Sequence, residues 1–519
     1  MLPVRHRRYF RVISPGAPTA AALAAGCLVT ACAVGPDFHP PAAPDTPSYA
    51  QTLMPATTAT APGQGGDAQK LVAGMAIPEK WWTLLHSDKL DRVIAAAMRA
   101  SPTVSAAQAA LRQAHAEVRA QQGAFFPTLQ GSYSPSRQRN AVNTLSPTLT
   151  SGDAIFNLHT AQLTVSYMPD VFGLNRRQVE SLQALEDAQR FEVEATFLTL
   201  ASNISLAAIQ EASLRAQIDA QEHIVAVETR LLDILQRQQA LGYVSGLDVA
   251  AARTQLAQAE QALPGLRKQL ALQRDLLSAL AGRLPAEPFD ETFTFADFTL
   301  PDTLPVSLPS ELVRQRPDVR AAEAQLHSAT ALVGVSIANM LPQLTITGAQ
   351  GGAATVFSQM FATGNVFWSL AGNVAQTFFA GGTLIARKHA AEAALDQAEA
   401  QYRGTVINAF QNVADTLHAI HNDADTLKAA QTSERAARTT LDITQKQLSS
   451  GFVNVLAVLN AEQAFQTSTQ ATAQAQAARY ADTVALYQAL GGGWWNRPAQ
   501  ADTPEATAAP LASRQAVAP

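Results

Sequence analysis

Ser101-Pro102-Thr103-Val104 is answered by Arg316-Pro317-Asp318-Val319, and Phe126-Pro127-Thr128-Leu129 by Leu341-Pro342-Gln343-Leu344, both at a shift of 215 residues (Pro102 to Pro317, Pro127 to Pro342). Further along, Gly242-Tyr243-Val244-Ser245 is answered by Gly451-Phe452-Val453-Asn454, and Ala281-Gly282 by Leu490-Gly491, at a shift of 209 (Gly242 to Gly451, Gly282 to Gly491). A period this long is not that of a solenoid unit. It indicates a tandem duplication of a half-protein, each copy running helix, two strands, then two helices.

Within each copy the hydrophobic period changes where the repeat requires it. Ser101 and Pro102 suit a helix start, because proline's missing N–H costs nothing in the first turn. That helix is expected to run to Gly123, where Pro127 stops it. Alternation through Leu129, Gly131 and Tyr133 then predicts a strand. A polar loop over 136–151 and a second strand at Leu163–Tyr167 follow. The second copy repeats the plan, with a strand at Leu344–Thr347, a small-residue loop over Gly351–Gly364 and a returning strand over Phe367–Phe378.

Two very long helices come next, predicted over Arg176–Gln239 and Thr383–Ser449, neither containing proline. At 1.5 Å per residue each is about 100 Å long. Leu200, Ile204, Ala207, Leu214, Ile218, Val225, Leu232 and Leu235 form one stripe, and Leu206, Ile209, Ile224, Val227, Leu231 and Ile234 a second. Two narrow stripes call for neighbours on two sides, as in a ring of coiled helices. Each long helix ends at a glycine turn and returns as a shorter helix, the first of which contains Pro264 and is expected to kink there.

Composition narrows the function. The 519 residues carry a net charge of −5 with 6% aromatics, which excludes a strongly basic nucleic-acid reader. Arg5, Arg7, Arg8 and Arg11 precede a short apolar run from Ala20 to Ala31, in the order of a secretory signal. Both cysteines lie there. Leu28-Val29-Thr30-Ala31-Cys32 has the branched, small, Cys order of a bacterial lipoprotein signal, and Ala24-Ala25-Gly26-Cys27 is the weaker competitor. The expected organisation is a signal peptide over 1–31, a lipid-anchored tether over 32–77, a first repeat over 78–282, a linker over 283–308, a second repeat over 309–495 and a disordered tail over 496–519.

Four strands cannot close a membrane barrel alone, and open edges in a bilayer would leave backbone groups unsatisfied. Several copies are therefore required. Asp415, His418, His421 and Asp425 have i, i+3 spacings that could hold a metal, although a solvated helix surface has the same pattern, and no metal site is assigned. Arg176-Arg177 and Arg387-Lys388 follow the returning strands and mark either a membrane boundary or ordinary helix-surface charge. Trp81, Trp82, Trp494 and Trp495 flank the body and are expected to pack together. No catalytic triad order, His-Glu-x-x-His or nucleotide fingerprint is present, so no catalytic residue or dissociable cofactor is expected.

The residues also resemble a family. Cys32-Ala33-Val34-Gly35-Pro36-Asp37-Phe38, Trp81-Trp82, Leu312-Val313-Arg314-Gln315-Arg316-Pro317-Asp318-Val319-Arg320-Ala321-Ala322-Glu323, Phe378-Phe379-Ala380-Gly381-Gly382 and Leu486-Tyr487-Gln488-Ala489-Leu490-Gly491-Gly492-Gly493-Trp494 are similar, in order, to runs in the TolC-like outer membrane factors of tripartite efflux systems. The resemblance implies a mixed α+β membrane protein, a homotrimer whose twelve strands form an outer-membrane barrel continued by a periplasmic helical barrel. It implies Cys32 carrying diacylglycerol and an N-acyl chain, insertion among outer-membrane lipids, a periplasmic adaptor protein and an inner-membrane pump. The tips Gly242, Tyr243, Val244, Gly246, Leu247 and Asp248, with Gly451, Phe452, Val453 and Leu456, would form the gate and meet the adaptor. Asn460 stands where the family usually has an acid, which puts an acidic ring in doubt. Small-molecule export is the leading function and a protein or peptide secretion channel the alternative.

Overall fold

The computed structural model describes residues 33–46, 48–50, 54–139 and 155–497. Cys27, Cys32 and the rest of the expected signal lie outside the described residues, as does the chain beyond Arg497. In chain order the elements are β1 (Lys70–Ala73), α1 (Asp88–Ala100), α2 (Pro102–Gln122), β2 (Thr128–Arg139), β3 (Ile155–Tyr167), α3 (Leu174–Ala240), α4 (Gly246–Leu280), β4 (Thr303–Val306), α5 (Pro309–Gln315), α6 (Pro317–Ala338), β5 (Gln343–Ala354), β6 (Val366–Ala375), α7 (Thr383–Ser449) and α8 (Val455–Ala489). The duplication is visible in their lengths: α3 and α7 each have 67 residues, α4 and α8 each 35, and β2 and β5 each 12. Pro264 lies inside α4, which continues through it.

Two compact units emerge, one from residues 1–42, 106–193 and 318–406, the other from 43–105, 194–317 and 407–519. Each draws on both copies of the repeat, so the copies interleave.

The first unit holds a four-stranded antiparallel sheet in the order β2-β3-β5-β6. Its strand ends differ from what alternation suggested. β2 continues to Arg139, inside the expected polar loop. β5 continues through Gly351 and Gly352 to Ala354, while β6 stops at Ala375, short of Phe378. The glycines read as loop because close backbone approach mimics a turn signal. A Cβ on Gly351 would lie 2.4 Å from the Ala161 carbonyl oxygen, and one on Gly352 still closer to that of Met360.

In the second unit the expected tether and linker supply structure. β1 and β4 pair in parallel, Lys70 opposite Thr303 and Ala73 opposite Val306. Gln69 is buried beside them, its amide donating to the Pro301 carbonyl and the Thr483 hydroxyl, both at 3.2 Å. Phe293, Phe295, Phe298, Leu300 and Leu304 of the linker are buried too. At the far end, Asn496 donates to the Ile77 carbonyl and Arg497 pairs with Glu79 and Glu194, so these two residues belong to the body. Trp81 stacks on Tyr487 with ring centres 5.4 Å apart, and Trp494 donates to the Gln315 carbonyl.

One contact is made twice. Gly282 has φ +74° and a Cβ there would lie 2.7 Å from the Ala100 carbonyl oxygen; Gly491 has φ +93° and meets that of Gln315 at 2.9 Å. Both the positive φ and the close approach demand glycine. Ala100 and Gln315 are themselves related by the shift of 215.

Candidate functional site

The register of the sheet sorts its side chains into two chemically distinct faces. On one, successive rows read Leu129–Val165–Gly348–Leu370, Gly131–Leu163–Gln350–Trp368 and Tyr133–Ala161–Gly352–Val366, with Ile346 and the Leu344–Val374 pair toward the helices. On the other they read Thr128–Ser166–Thr347–Ala371 and Gln130–Thr164–Ala349–Ser369, interrupted by Phe367. The apolar face is open, with Trp368 78% and Leu370 72% exposed. An apolar surface of that extent is costly in water and suits lipid. Between the Leu344–Val374 and Gly352–Val366 pairs it covers about 27 Å along the strands, or roughly 20 Å once tilted. Aromatic residues stand at both ends, Phe126, Phe378 and Phe379 beside the helices and Tyr133, Phe357 and Phe361 beside the strand turns. Among the described residues no helix is long and apolar enough to cross a membrane.

The helix-turn tips lie where the glycines placed them. Gly242 and Gly451 have φ of +78° and +75°, and each turn returns a pair of N–H groups to the ending helix, Tyr243 to Gln238 and Phe452 to Gln447. These bonds satisfy carbonyls that a helix C-terminus would otherwise orphan. Tyr243, Leu247, Phe452 and Leu456 project from the turns as exposed apolar side chains, whereas Val244 packs on Leu235, Val249, Ala252, Val455 and Leu459. Val453 is half-buried and Gly246 opens α4. Asp248 is engaged locally: its carboxylate accepts from the Ser245 N–H at 3.1 Å and hydroxyl at 2.7 Å, completing a capping box. The second turn has a simpler cap, Asn454 accepting from the Ala457 N–H at 3.1 Å. Asn460 is exposed and lines an open cleft of about 500 Å³ with Ser433, Gln463 and Thr467.

Near these tips are two carboxyls that residue patterns alone did not single out. Glu228 of α3 is 6% exposed and Glu462 of α8 is 2% exposed, and neither Oε2 has a hydrogen-bond partner. Both stand at about 7, raised by burial and, at Glu462, by the nearby Glu228 as well. The available signal was positional: Glu228 falls between Ile224 and Leu231, and Glu462 between Val458 and Phe465, inside apolar stripes.

Arg177 corrects an expectation. It is not a solvated helix-surface charge. It is 4% exposed and holds the segment starting at Ala33, with Nε donating to the Val34 carbonyl at 3.1 Å and Nη2 to Asp37 at 2.6 Å. Glu180 takes Nη1 at 2.8 Å, and Phe38 stacks on His327 at 4.3 Å. The Arg177 guanidinium lowers the Asp37 carboxyl. Arg176 pairs with Asp170 and Lys388 with Glu392, while Arg387 is exposed.

Among the described residues no three metal-ligating side chains converge. Asp415, His418 and Asp425 are exposed, and the His421 ring nitrogens face the carbonyls of Leu417 and Pro55 at 3.0 and 2.8 Å.

A sheet of this chemistry joined to paired long helices corresponds to a known family. The outer membrane efflux protein family matches residues 93–283 and 308–492, which is most of the chain and both copies. The chain belongs to that family. Among its relatives, the pyoverdine export outer membrane protein OpmQ of Pseudomonas putida is 29% identical over 458 residues, covering 87% of this chain and 95% of that protein. The solvent efflux pump outer membrane protein SrpC of Pseudomonas putida is likewise 29% identical, covering 90% and 96%. The solved outer-membrane channel OprN has the same fold, with TM-score 0.78 and 24% identity over 89% of this chain and all of that one. VceC of Vibrio cholerae matches with TM-score 0.75 and 25% identity over 80% and 100%. This outer membrane efflux protein is thus an outer-membrane channel component of mixed α and β fold, a conduit and not an enzyme.

Proposed function

We propose that three copies close their sheets into one twelve-stranded barrel and export small organic molecules passively across the outer membrane. The tips at Gly242–Asp248 and Gly451–Leu456 receive a periplasmic adaptor coupled to an inner-membrane pump, and Cys32 carries diacylglycerol and an N-acyl chain. The observation that carries this reading is the sheet itself, apolar on one face, polar on the other, with β2 and β6 each paired on one side only among the described residues. Lipid does not tolerate open strand edges, so edges of this kind must meet the edges of further copies. A closed ring then puts the Thr, Ser and Gln face around a watery bore. Relatives named for pyoverdine, solvent and toluene export support cargoes of small-molecule size.

Disulfide trapping tests the closure. Gln130→Cys or Ser132→Cys on β2 is combined with Ser369→Cys or Ala371→Cys on β6. Oxidation of at least one combination is expected to give a covalent ladder ending at three chains. A ladder that ends at two chains, or none from any combination, would contradict a trimeric barrel.

A further inference from the structure

At the turn end of the sheet the apolar face gives way to a different chemistry. Beyond the Tyr133–Ala161–Gly352–Val366 row, the same face continues with Pro135–His159, then Arg137–Asn157, then Arg139–Ile155. Tyr133 Oη and His159 Nδ1 are 2.8 Å apart and their rings stack at 6.2 Å. Phe357 stands edge-on to both, at 5.8 and 6.1 Å. Arg137 and Arg139 are exposed.

Charge pairing distinguishes the two ends. Beside the helices, Arg176, Arg177 and Lys388 each meet a carboxylate, with Arg387 left exposed. Arg137 and Arg139 make no ion pair among the described residues. The connection 140–154 that follows them has one ionisable residue, Asp153, against the two arginines. In the second copy, residues 355–375, covering the strand turn and β6, carry none. A β6 strand set beside β2 would therefore bring no carboxylate to them.

Height decides what they face. Arg137 lies four residues beyond Tyr133, about 14 Å along the strand and roughly 10 Å along the membrane normal at the usual tilt. With the helices on the periplasmic side, that level is the outer leaflet's head groups. A guanidinium fork matches phosphate geometry and is less strongly hydrated than an ammonium.

We propose that Arg137 and Arg139, above the Tyr133–His159–Phe357 platform, bind the phosphate groups of an anionic outer-leaflet lipid. The aromatic platform lies against the part of that lipid between its phosphates and its chains. The inference rests on the outward placement of the strand turns.

The full-length assembled protein, reconstituted in nanodiscs, is titrated with bisphosphorylated lipid A, with its dephosphorylated form and with inorganic phosphate, binding being read by native mass spectrometry. Wild type is expected to hold the bisphosphorylated lipid in preference to the dephosphorylated one and to release it as salt rises. Each arginine near an anionic lipid surface accounts for about a fivefold change in binding. R137Q/R139Q should therefore weaken retention roughly 25-fold, while Arg387→Gln leaves it unchanged. Equal retention by wild type and the double variant would overturn the site. So would equal binding of the two lipids by wild type, a measurement that does not need the variant to fold. Inorganic phosphate bound as tightly as the lipid would overturn a lipid as the ligand. Absence of an assembled wild-type oligomer would count against the channel reading instead.

Discussion

The helices α3 and α7 have the same length and the same place in the two copies, yet they are buried differently. They share one stripe. Val193, Leu200, Ile204, Ala208, Glu211 and Ile218 are buried in α3, and so are their counterparts Tyr402, Ala409, Val413, Leu417, Ile420 and Leu427 in α7. Helix α3 then buries a second face, including Ala201, Ser205, Ile209, Ala212 and Ser213. The matching residues of α7, Phe410, Ala414, His418, His421 and Asn422, stay partly or wholly exposed. Helix α3 also bonds to the shorter helices, Ser213 of this face donating to the Ala473 carbonyl and, elsewhere around the helix, Gln273 donating to the Ala207 carbonyl and Gln221 to that of Ala259. Duplication therefore carried over length and the common seam, while each helix acquired its second face from its own surroundings. On α7 that face meets the N-terminal segment instead, Phe410 against Tyr49 at 5.5 Å and His421 against the Pro55 carbonyl at 2.8 Å.

The shared features should fail alike in both halves, and there the largest effects are expected. Gly282→Val and Gly491→Val each force a Cβ to within 3 Å of a backbone carbonyl oxygen at positive φ. Neither variant should yield a folded oligomer on semi-native gels. A folded Gly491→Val beside an unfolded Gly282→Val would break the equivalence.

Next come the faces that differ. Ile209→Ala should cost about 3 kcal/mol, whereas the matched His418→Ala should change stability by less than about 0.5 kcal/mol. Thermal unfolding followed by circular dichroism compares them, and equal losses would show that α7's second face is packed as well.

The buried carboxyls make α3 sensitive to pH where the matched Ala437 of α7 cannot be. Glu228 and Glu462 stand at about 7 in the fold against 4.5 ordinarily, so the native state holds protons that the unfolded chain has released. Their stabilisation is full below about pH 4.5 and is lost as the pH rises through 7. The double variant Glu228→Gln/Glu462→Gln should flatten the unfolding profile between pH 5 and 8. An unchanged profile would place the titration elsewhere.

The two turns offer the smallest contrast. Ser245→Ala removes one side of a capping box and should cost about 1 kcal/mol. Asn454→Ala removes a single cap bond and should cost no more. Hydrogen exchange in the first turns of α4 and α8 reads both.

Much of this was legible in the residues because repetition gives each element a second witness. The long helices lack internal breakers and end at Gly242 and Gly451, so their ends agree with the structure within two residues. Strand alternation around Leu129 and Leu163 was equally direct. What escaped notice lacks a local period. β1 and β4 have four residues each and acquire meaning only when paired across more than two hundred positions. Gly351 and Gly352 read as a loop because close packing and turning use the same residue. At the site, the exposed tips were readable from glycine spacing, but Glu228, Glu462 and the buried Arg177 were not. A charged residue inside an apolar stripe, or after a strand, shows its role only once its neighbours are placed.

The proposed trimer makes the four two-faced strands of each chain one third of a barrel. The direct measurement is the protein mass of the detergent-solubilised assembly, by light scattering with detergent subtracted, alongside its circular dichroism. Three chain masses with the sheet signal intact is the expected result. One chain mass with the same sheet signal would contradict it.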